Sequence, residues 1–547
     1  MSKARKQNYI HGAAILTVGV VIMKILGAIY KIPLGNILGD EGYSMFLSAY
    51  NVYNIFFTLA TAGLPVALSR LIAESDANGR AANEEKTFRV ALGTFAVIGI
   101  FFSLIMFLFP GWLAGTYLEN PDATMSVKAM APAILLVCLV SAYRGYCQGN
   151  GNMLPTTVDE VLEVLFKVIA GLILSTVLIR GGFGKPMGSA GAIFGVTVGG
   201  TVSLLYMIFY KRRNYADLAS SYTAGVHDPN DVPDDDEKVD STRKIVKDIL
   251  TIGIPIAIGA TIMAILNSID SKLCMNRLQS AAGFSYKEAK VLYGIYGKAQ
   301  TLFNLPAALT QPLNISCVPA IAGAIAVGKR EFSTKVSEDS LRITAVVAMP
   351  MGFGLLTMAY PIINVLYPDS NAAGPALLRI MGVTSIFVCL VLMENAILQA
   401  SGKERLPMYA MITGSLVKIV INWFLIANPK INIIGAPVGT FCGYLTMCLM
   451  DYAFIRKALG QNPNMGRVMG KPLLCSALMA VAALGSYAAL TALLGQSWLA
   501  LLASMGIAIG IAVIVYAVAV IRLRALTMED LKLIPKGEKI GRLLHMS

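Results

Sequence analysis

Charged side chains lie inside several long apolar stretches of this 547-residue chain. Lys24 and Lys31 fall in the first stretch, and a helix would place both ammonium groups on one face about 10 Å apart. Glu160, Glu163 and Lys167 repeat the same i, i+3, i+7 spacing in a later stretch. Ionisable groups at membrane depth cost about 2.5–3.5 kcal/mol each on insertion scales and normally face a cavity or a partner. These residues are therefore candidates for binding a charged solute inside an apolar protein.

Five further polar residues continue this pattern in the second half of the chain. They are Asn267 and Asp270 in the seventh apolar stretch, Lys298 in the eighth, Glu394 in the tenth and Lys418 in the eleventh. Buried ion pairs between helices would account for some of them, and Glu163 and Lys167 are spaced for a pair within one helix. Lys31 alternatively extends to the membrane interface. The lysines in both halves indicate that an anionic group passes through the interior.

The elements that must hold these residues are membrane helices. Apolar residues make up 56% of the chain and charged residues 14%, whereas soluble domains carry about 45–50% and about 25%. Because a helix needs about 20 apolar residues to cross a bilayer, we predict an all-α polytopic membrane protein with fourteen transmembrane helices. The predicted spans are 11–32, 44–68, 90–113, 128–147, 156–180, 188–210, 248–269, 291–326, 341–366, 374–400, 406–427, 433–455, 472–494 and 498–521.

Lysine and arginine concentrate in alternate loops, which predicts that both termini are cytoplasmic. The basic start of the chain precedes an apolar stretch without a small-x-small cleavage site, so we expect an uncleaved first helix and not a signal peptide. One outer loop disagrees with the charge rule, because it carries Lys272, Arg277, Lys287 and Lys290. That loop is either an amphipathic surface helix or an electrostatic lip for an anionic substrate.

The two halves of the chain resemble each other in the same direction. Leu64–Ser69 recurs as Leu305–Thr310 at an offset of 241 residues, and Lys167 recurs as Lys418 at an offset of 251. Two parallel six-helix repeats are a transporter architecture in which the substrate binds between the lobes. We therefore predict two six-helix lobes and a C-terminal helix pair. The predicted domains are an N-lobe at 1–210, a polar cytoplasmic linker at 211–247, a C-lobe at 248–457, and the last two helices with a cytoplasmic tail at 458–547.

Other side chains predict local features of these helices. Pro65, Gly145 and Pro306 predict interruptions of helices two, four and eight. Tyr43, Tyr50 and Tyr53 are typical of an interfacial aromatic belt, with a headgroup pocket as the alternative.

Several classes of function lack their motifs. The eight cysteines form no CxxC and the three histidines lie near the termini or in the linker, so we expect no metal site and no resident cofactor. No GxxxxGK[ST] phosphate-binding loop occurs, so we expect membrane potential or an ion gradient to supply the drive, with a monovalent cation or a proton as the coupling ion. The cations are dispersed along loop edges, so nucleic acid is not an expected partner.

Short motifs resemble one family across the whole chain. They resemble the stage V sporulation protein B branch of polysaccharide flippases, which belongs to the multidrug/oligosaccharidyl-lipid/polysaccharide (MOP) superfamily and is similar to the MurJ lipid II flippases. The motifs are Tyr30–Leu34, Leu38–Tyr43, Thr61–Ser69, Arg144–Gly149, Met528–Leu531 and Ile534–Gly537.

The resemblance implies that cations on the first two helices hold the diphosphate of a lipid carrier. Matching the motifs places Lys24, Lys31 and Arg70 in that role, while Ser69 stands where the family has a second arginine. Lysine in place of helix-one arginine keeps the charge but loses bidentate phosphate geometry. The substrate-binding set is Lys24, Lys31, Arg70, Asn267, Asp270 and Lys298. The cavity or coupling candidates are Asp40, Glu160, Glu163, Lys167, Glu394 and Lys418.

We therefore expect a non-enzymatic flippase in the bacterial cytoplasmic membrane. By the resemblance it moves lipid II, an undecaprenyl-diphosphate-linked peptidoglycan precursor, from the inner to the outer leaflet by alternating access. Its expected partners are this anionic isoprenoid-diphosphate lipid, membrane lipids and cell-wall synthesis proteins. The alternatives are an exporter of another lipid-linked polysaccharide unit and a cation-coupled multidrug antiporter. A non-transporting scaffold is a further alternative, against which the polar residues inside the spans argue.

Overall fold

The computed structural model describes residues 9–223, 239–326, 330–370, 372–403, 405–460 and 463–526. Within these ranges the chain is helical and contains no strand, which confirms the all-α class. The helices are α1 (Tyr9–Thr61), α2 (Leu64–Ala77), α3 (Ala81–Leu108), α4 (Thr124–Gly149), α5 (Leu154–Arg180), α6 (Gly184–Thr223), α7 (Thr242–Ser280), α8 (Tyr286–Ala326), α9 (Arg330–Thr357), α10 (Ala359–Leu366), α11 (Gly374–Ala400), α12 (Arg405–Leu425), α13 (Gly435–Leu459), α14 (Met465–Leu494) and α15 (Trp498–Arg522).

The helices coincide with the predicted spans. The span 44–68 is shared by α1 and α2, and the span 341–366 is shared by α9 and α10. The spans 90–113, 406–427 and 433–455 extend a few residues beyond α3, α12 and α13, and each remaining span lies on one helix. Among the described residues, eleven helical segments are long and apolar enough to cross a membrane. The count of fourteen and the cytoplasmic position of both termini stay predictions, and the tail motifs 528–531 and 534–537 lie outside the described residues.

Glycine and proline shape the first helices in different ways. α1 contains two helices that meet at Gly39, whose φ of 65° and ψ of −179° suit a residue without a Cβ. α2 begins after a break at Gly63, with Pro65 in its first turn, where the missing amide hydrogen costs nothing. The predicted interruptions at Gly145 and Pro306 are wrong, because α4 and α8 continue through them. Gly145 instead permits close packing, since a Cβ there would lie 2.9 Å from the carbonyl oxygen of Pro65.

The chain divides into two compact units, Met1–Met275 and Asn276–Ser547, and the division falls inside α7. We call them unit 1 and unit 2. α6 continues to Thr223, into the segment predicted as a linker, and residues 224–238 of that segment lie outside the described residues. The domain boundaries predicted from the sequence stay predictions.

In unit 1, α5 and α6 pack with their backbones close together. A Cβ at Gly199 would overlap the carbonyl oxygen of Glu163, and one at Gly195 would lie 2.7 Å from the carbonyl oxygen of Lys167. Small residues at four-residue spacing allow such an approach between membrane helices. The glycine face of α6 therefore fixes the backbone that carries Glu163 and Lys167.

Unit 2 contains the same arrangement between α12 and α13. A Cβ at Gly439 would lie 3.1 Å from the carbonyl oxygen of Lys418, and one at Gly443 would lie 2.8 Å from that of Gly414. Lys418 thus occupies the same place opposite a glycine face as Lys167 does in unit 1. This recurrence is what a parallel repeat requires.

Candidate functional site

An arginine in α4 connects to three carboxylates of α5 within unit 1. Nε of Arg144 lies 2.9 Å from Oδ2 of Asp159, and Nη2 lies 2.9 Å from Oε2 of Glu163. Nη1 lies 3.7 Å from Oε1 of Glu160. The hydroxyl of Ser203 on α6 donates to Oδ2 of Asp159 at 2.9 Å. We call these five residues the Arg144 network.

The Arg144 network explains why three acidic side chains are stable in this mostly buried position. The Asp159 side chain is fully buried and that of Glu163 is mostly buried, so each needs a compensating charge. The planar guanidinium supplies several donors to both at once. Because Glu163 pairs with Arg144, Lys167 is left without an acid, and the described residues show no Glu163–Lys167 ion pair. The predicted pairing within one helix is wrong for this reason, while pairing between helices occurs.

Three lysines of α1 and α5 form a cationic group in unit 1. Lys31 lies close enough to Lys24 and Lys167 for their charges to act on it. Lys24 is exposed, whereas Lys31 and Lys167 are half-buried. None of the three makes an ion pair with any residue that the structure describes. We call Lys24, Lys31 and Lys167 the lysine trio. Like charges held together without a counter-ion create a positive potential that attracts an anion.

An aromatic ladder runs along the second half of α1, beside the lysine trio. Successive ring centroids from Tyr43 through Phe46, Tyr50 and Tyr53 to Phe57 are separated by 5.7, 5.8, 5.8 and 5.4 Å. Nζ of Lys31 lies 5.8 Å from the centroid of the Tyr50 ring, within cation–π range. Because Tyr43 and Tyr53 are buried, the prediction of an interfacial belt is wrong.

Packing contacts of α1 fix the lysine trio in place. The hydroxyl of Tyr30, the residue before Lys31, donates to the carbonyl oxygen of Ala192 on α6 at 2.9 Å. A Cβ at Gly171 of α5 would lie 2.6 Å from that hydroxyl oxygen, so this glycine makes room for it. α1, α5 and α6 are therefore joined next to the lysines.

The other predicted site residues of unit 1 lie in varied surroundings. Arg70 is exposed on α2 and makes no ion pair in the described part of the chain. Asp40 is half-buried directly after the Gly39 kink, and the next residue, Glu41, accepts from Nζ of Lys185 at 3.1 Å. Asp270 is buried in α7, and the side chain of Asn267 lies outside the described residues. Their roles in substrate binding stay predictions.

In unit 2 the predicted site residues Lys298, Glu394 and Lys418 are buried or half-buried. Lys298 is buried, and its Nζ donates to Oγ of Ser370 at 3.2 Å and lies 5.2 Å from the Tyr367 ring centroid. Glu394 is buried in α11, and the half-buried Lys418 lies on α12. Lys298 thus stabilises the turn at Pro368–Ser370, and its predicted contact with substrate stays a prediction.

Sequence reasoning missed the partners of these residues. Arg144 was recognised only as part of a motif, although it is the cation that the acids of α5 require. Asp159 and Asp451 lie inside the predicted spans 156–180 and 433–455, so a complete search of those spans for acids would have found them. The positions of Arg144 and Ser203 opposite Asp159 depend on helix packing, which spacing along one helix does not reveal.

The sequence model of the family described as "Polysaccharide biosynthesis protein" matches residues 10–325, which is more than half of the chain. The chain belongs to this family. Three relatives from Bacillus subtilis (strain 168) resemble it along most of its length. The uncharacterized membrane protein YabM is 26% identical over 99% of this chain and 97% of that protein. Stage V sporulation protein B is 23% identical over 83% and 85%, and lipid II flippase MurJ is 23% identical over 83% of each.

Solved structures share the fold. Lipid II flippase MurJ in an inward closed conformation aligns with a TM-score of 0.59 at 15% identity, over 93% of this chain and 99% of that chain. An inward-facing MATE family multidrug resistance transporter of the MOP superfamily gives 0.60 at 16% identity, over 82% and 98%. The resemblance predicted from the motifs is confirmed: the chain is a flippase or transporter of the MOP superfamily and a multi-pass protein of the bacterial membrane.

Proposed function

We propose that this protein moves a lipid-linked precursor with a diphosphate group, namely lipid II, from the inner to the outer leaflet. The lysine trio carries the proposal, because three cations of unit 1 lie together without a counter-ion among the described residues. A diphosphate supplies the negative charge that this group lacks, and charge-assisted hydrogen bonds from ammonium groups suit its oxygens. The name of the MurJ relative supports lipid II as the substrate.

The arrangement assigns different roles to the charged residues. Lys31 and Lys167 would bind the diphosphate in a partly desolvated position, and the exposed Lys24 would attract it from solvent. The Arg144 network keeps the nearby acids paired, so they do not compete for the lysines. Arg70 on α2 is a further proposed contact for the substrate. The lipid tail would stay in the bilayer, and no covalent bond is made or broken.

A second candidate is the export of another undecaprenyl-diphosphate-linked saccharide. The family description favours it, because it names polysaccharide biosynthesis and not peptidoglycan alone. The same lysines would bind the same diphosphate, so the difference lies in the sugar. A cationic drug is a poor substrate for unit 1, because the unpaired lysine trio would repel it.

Depletion of the resident lipid II flippase in a bacterium that expresses this chain tests the substrate. We expect growth to be restored and lipid II to become accessible on the outer leaflet. Restored export of a different lipid-linked saccharide, without lipid II exposure, would support the second candidate. If the full-length protein is inserted in the membrane and neither lipid reaches the outer leaflet, the proposed function is wrong.

Liposomes that contain the purified protein and fluorescent lipid II test the lysine trio. We expect Lys31→Gln and Lys167→Gln to lower the apparent affinity about tenfold to a hundredfold, since a hydrogen bond to a charged group contributes about 1.5–3 kcal/mol. Lys128→Gln is the matched control, because this exposed lysine of α4 lies 4.8 Å from the Phe107 ring centroid and outside the trio. Equal rates and affinities in all three variants would contradict the role of the trio.

A further inference from the structure

A group of cations joins α3, α4 and α6 at one end of unit 1. Oε1 of Glu85 on α3 lies 3.0 Å from Nε of Arg89, and Oε2 of the same carboxylate lies 2.8 Å from Nζ of Lys211 on α6. The charges of Glu85 and of Arg212 both act on Tyr143 of α4, which places Arg212 beside the same carboxylate. We call Arg89, Lys211 and Arg212 the basic cluster.

The basic cluster carries more positive charge than its acid offsets. Glu85 is shared by Arg89 and Lys211, and Arg212 makes no ion pair with any residue that the structure describes. The preceding acid, Glu84, accepts from Nδ2 of Asn150 at 2.9 Å. The exposed guanidinium of Arg213 extends the positive charge along α6. The cluster therefore keeps an excess of positive charge, which attracts an anion.

Aromatic rings hold Lys211 in place within the cluster. Its Nζ lies 4.0 Å from the centroid of the Phe88 ring and 4.9 Å from that of Tyr146, both within cation–π range. The Tyr143 ring lies 5.1 Å from the Phe88 ring in an edge-to-face arrangement. Lys211 is thus ordered before any ligand arrives, and an ordered group loses less entropy when it binds.

An apolar stripe on the outside of α6 leads to the basic cluster. Leu205 and Phe209 are each 61% exposed, and both belong to the predicted span 188–210. The spacing of four and then three residues places Leu205, Phe209 and Arg212 on one face of the helix. On α3, Gly93 is exposed one turn after Arg89, and a Cβ there would meet no atom within 4 Å. An apolar surface in the bilayer thus ends at exposed cations on both helices.

A phospholipid with a negatively charged headgroup fits this surface. Its acyl chains match the apolar stripe, and its phosphate matches the cations at the end of that stripe. The charge rule predicts this end of α3 and α6 to be cytoplasmic, and the cytoplasmic leaflet is the one with a negative surface potential. That rule explains why cations occur at this end, but not why one carboxylate and three aromatic rings gather them across three helices.

We propose that the basic cluster binds the phosphate of a phosphatidylglycerol-type lipid from the cytoplasmic leaflet. The guanidinium groups of Arg89 and Arg212 donate to the phosphate oxygens from α3 and α6, and Lys211 adds its charge between them. Leu205 and Phe209 contact the acyl chains. The lipid connects α3 to α6 across α4 from the outside of unit 1. This inference does not depend on which substrate the protein transports.

Native mass spectrometry of the purified full-length protein, titrated with phosphatidylglycerol or phosphatidylethanolamine, tests the proposal. We expect the wild type to prefer phosphatidylglycerol. The double variant Arg89→Gln, Arg212→Gln should bind it about thirtyfold more weakly, from about fivefold for each cation at the membrane surface. Both arginines are exposed, and size-exclusion chromatography checks that the variant is folded.

The double variant Arg243→Gln, Lys247→Gln is the matched control. It removes the same charge from exposed positions at the start of α7, outside the basic cluster, and should bind phosphatidylglycerol like the wild type. An equal loss of affinity in both double variants would overturn the proposal, because general surface charge would then attract the lipid. The same affinity of the wild type for both phospholipids would also overturn it.

Competition with a soluble phosphate ester distinguishes the lipid from a free phosphate. Glycerol phosphate carries the charge of the headgroup but has no acyl chains to contact Leu205 and Phe209. We expect an equimolar amount of it to leave bound phosphatidylglycerol in place. Displacement of the lipid at equal concentration would overturn the assignment to a phospholipid, because the cations alone would then account for binding.

Discussion

The two units use the same helix packing with opposite charge compensation. In unit 1 the acids of α5 contact Arg144, and the lysine trio makes no ion pair with any described residue. In unit 2 a lysine occupies the equivalent place on α12, but Oε2 of Glu394 on α11 and both carboxyl oxygens of Asp451 on α13 have no hydrogen-bond partner among the described residues. The glycine faces of α6 and α13 allow the same close helix packing in both units. The same helix packing can therefore hold buried acids in two ways, with a guanidinium in unit 1 and without one among the described residues of unit 2.

Removal of that guanidinium gives the largest expected effect. Arg144→Met leaves Asp159 and Glu163 buried without a counter-charge, which costs about 3–5 kcal/mol for a broken buried pair. Thermal unfolding of the purified protein in nanodiscs measures the change. Asn395→Met at the equivalent position of unit 2 is the control and should cost much less, because no buried ion pair is broken there. Equal losses of stability in the two variants would mean that the two units do not differ in charge compensation.

Neutralising one acid in each unit tests the same difference in charge compensation. Asp159→Asn should destabilise the protein by about 1.5–3 kcal/mol, because Oδ2 accepts from both Arg144 and Ser203. Asp451→Asn should cost much less at pH 7, because neither carboxyl oxygen of Asp451 has a hydrogen-bond partner among the described residues. Denaturation curves of both variants and of the wild type measure these changes in stability. A large loss in Asp451→Asn would reveal that this carboxyl is ionised and paired.

The close packing of α5 against the glycines of α6 predicts a smaller loss of stability. Gly199→Ala should cost about 1–3 kcal/mol, because the added Cβ would overlap the carbonyl oxygen of Glu163 and push α6 away from α5. Gly200→Ala is a matched control on the same helix, since its Cβ would lie 3.4 Å from Cβ of Leu136 in ordinary contact. Unfolding temperatures of the two variants should therefore differ. Similar temperatures would show that α5 and α6 adjust without cost.

An ion pair outside the membrane provides the smallest expected effect. Oδ1 of Asp240 lies 2.6 Å from Nζ of Lys244, and the hydrogen bond from Lys244 lowers the pKa of Asp240. A lowered folded-state pKa stabilises the fold above the unfolded pKa of about 3.9, and this contribution disappears as the pH falls through the folded-state value. Asp240→Asn should lower the unfolding temperature slightly at pH 7 and leave it unchanged at pH 2. The same decrease at both values would exclude this ion pair as the cause.

Most of the helices could be predicted from the sequence, because a membrane helix is recognisable from its apolar composition and its length. The repeat that relates Lys167 to Lys418 was visible as a constant offset. Partners across helices were not predictable in this way, since Arg144 lies fifteen residues before Asp159 and meets it only after two helices pack. The ladder from Tyr43 to Phe57 was misplaced for a related reason. Its spacing shows that the rings share one face, but only packing shows whether that face meets lipid or protein.

The hydrogen bond between Tyr30 and Ala192 has a consequence for biosynthesis. Its donor is made near the start of the chain, and its acceptor follows 162 residues later. The first helix therefore leaves the ribosome with Lys24 and Lys31 long before α5 and α6 exist to flank them. Until α5 and α6 are inserted, that helix carries two lysines and lacks two of the helices that pack against it. Early synthesis thus produces an intermediate that the insertion machinery must shelter, and a chain truncated before α6 should be a preferred target for membrane proteases.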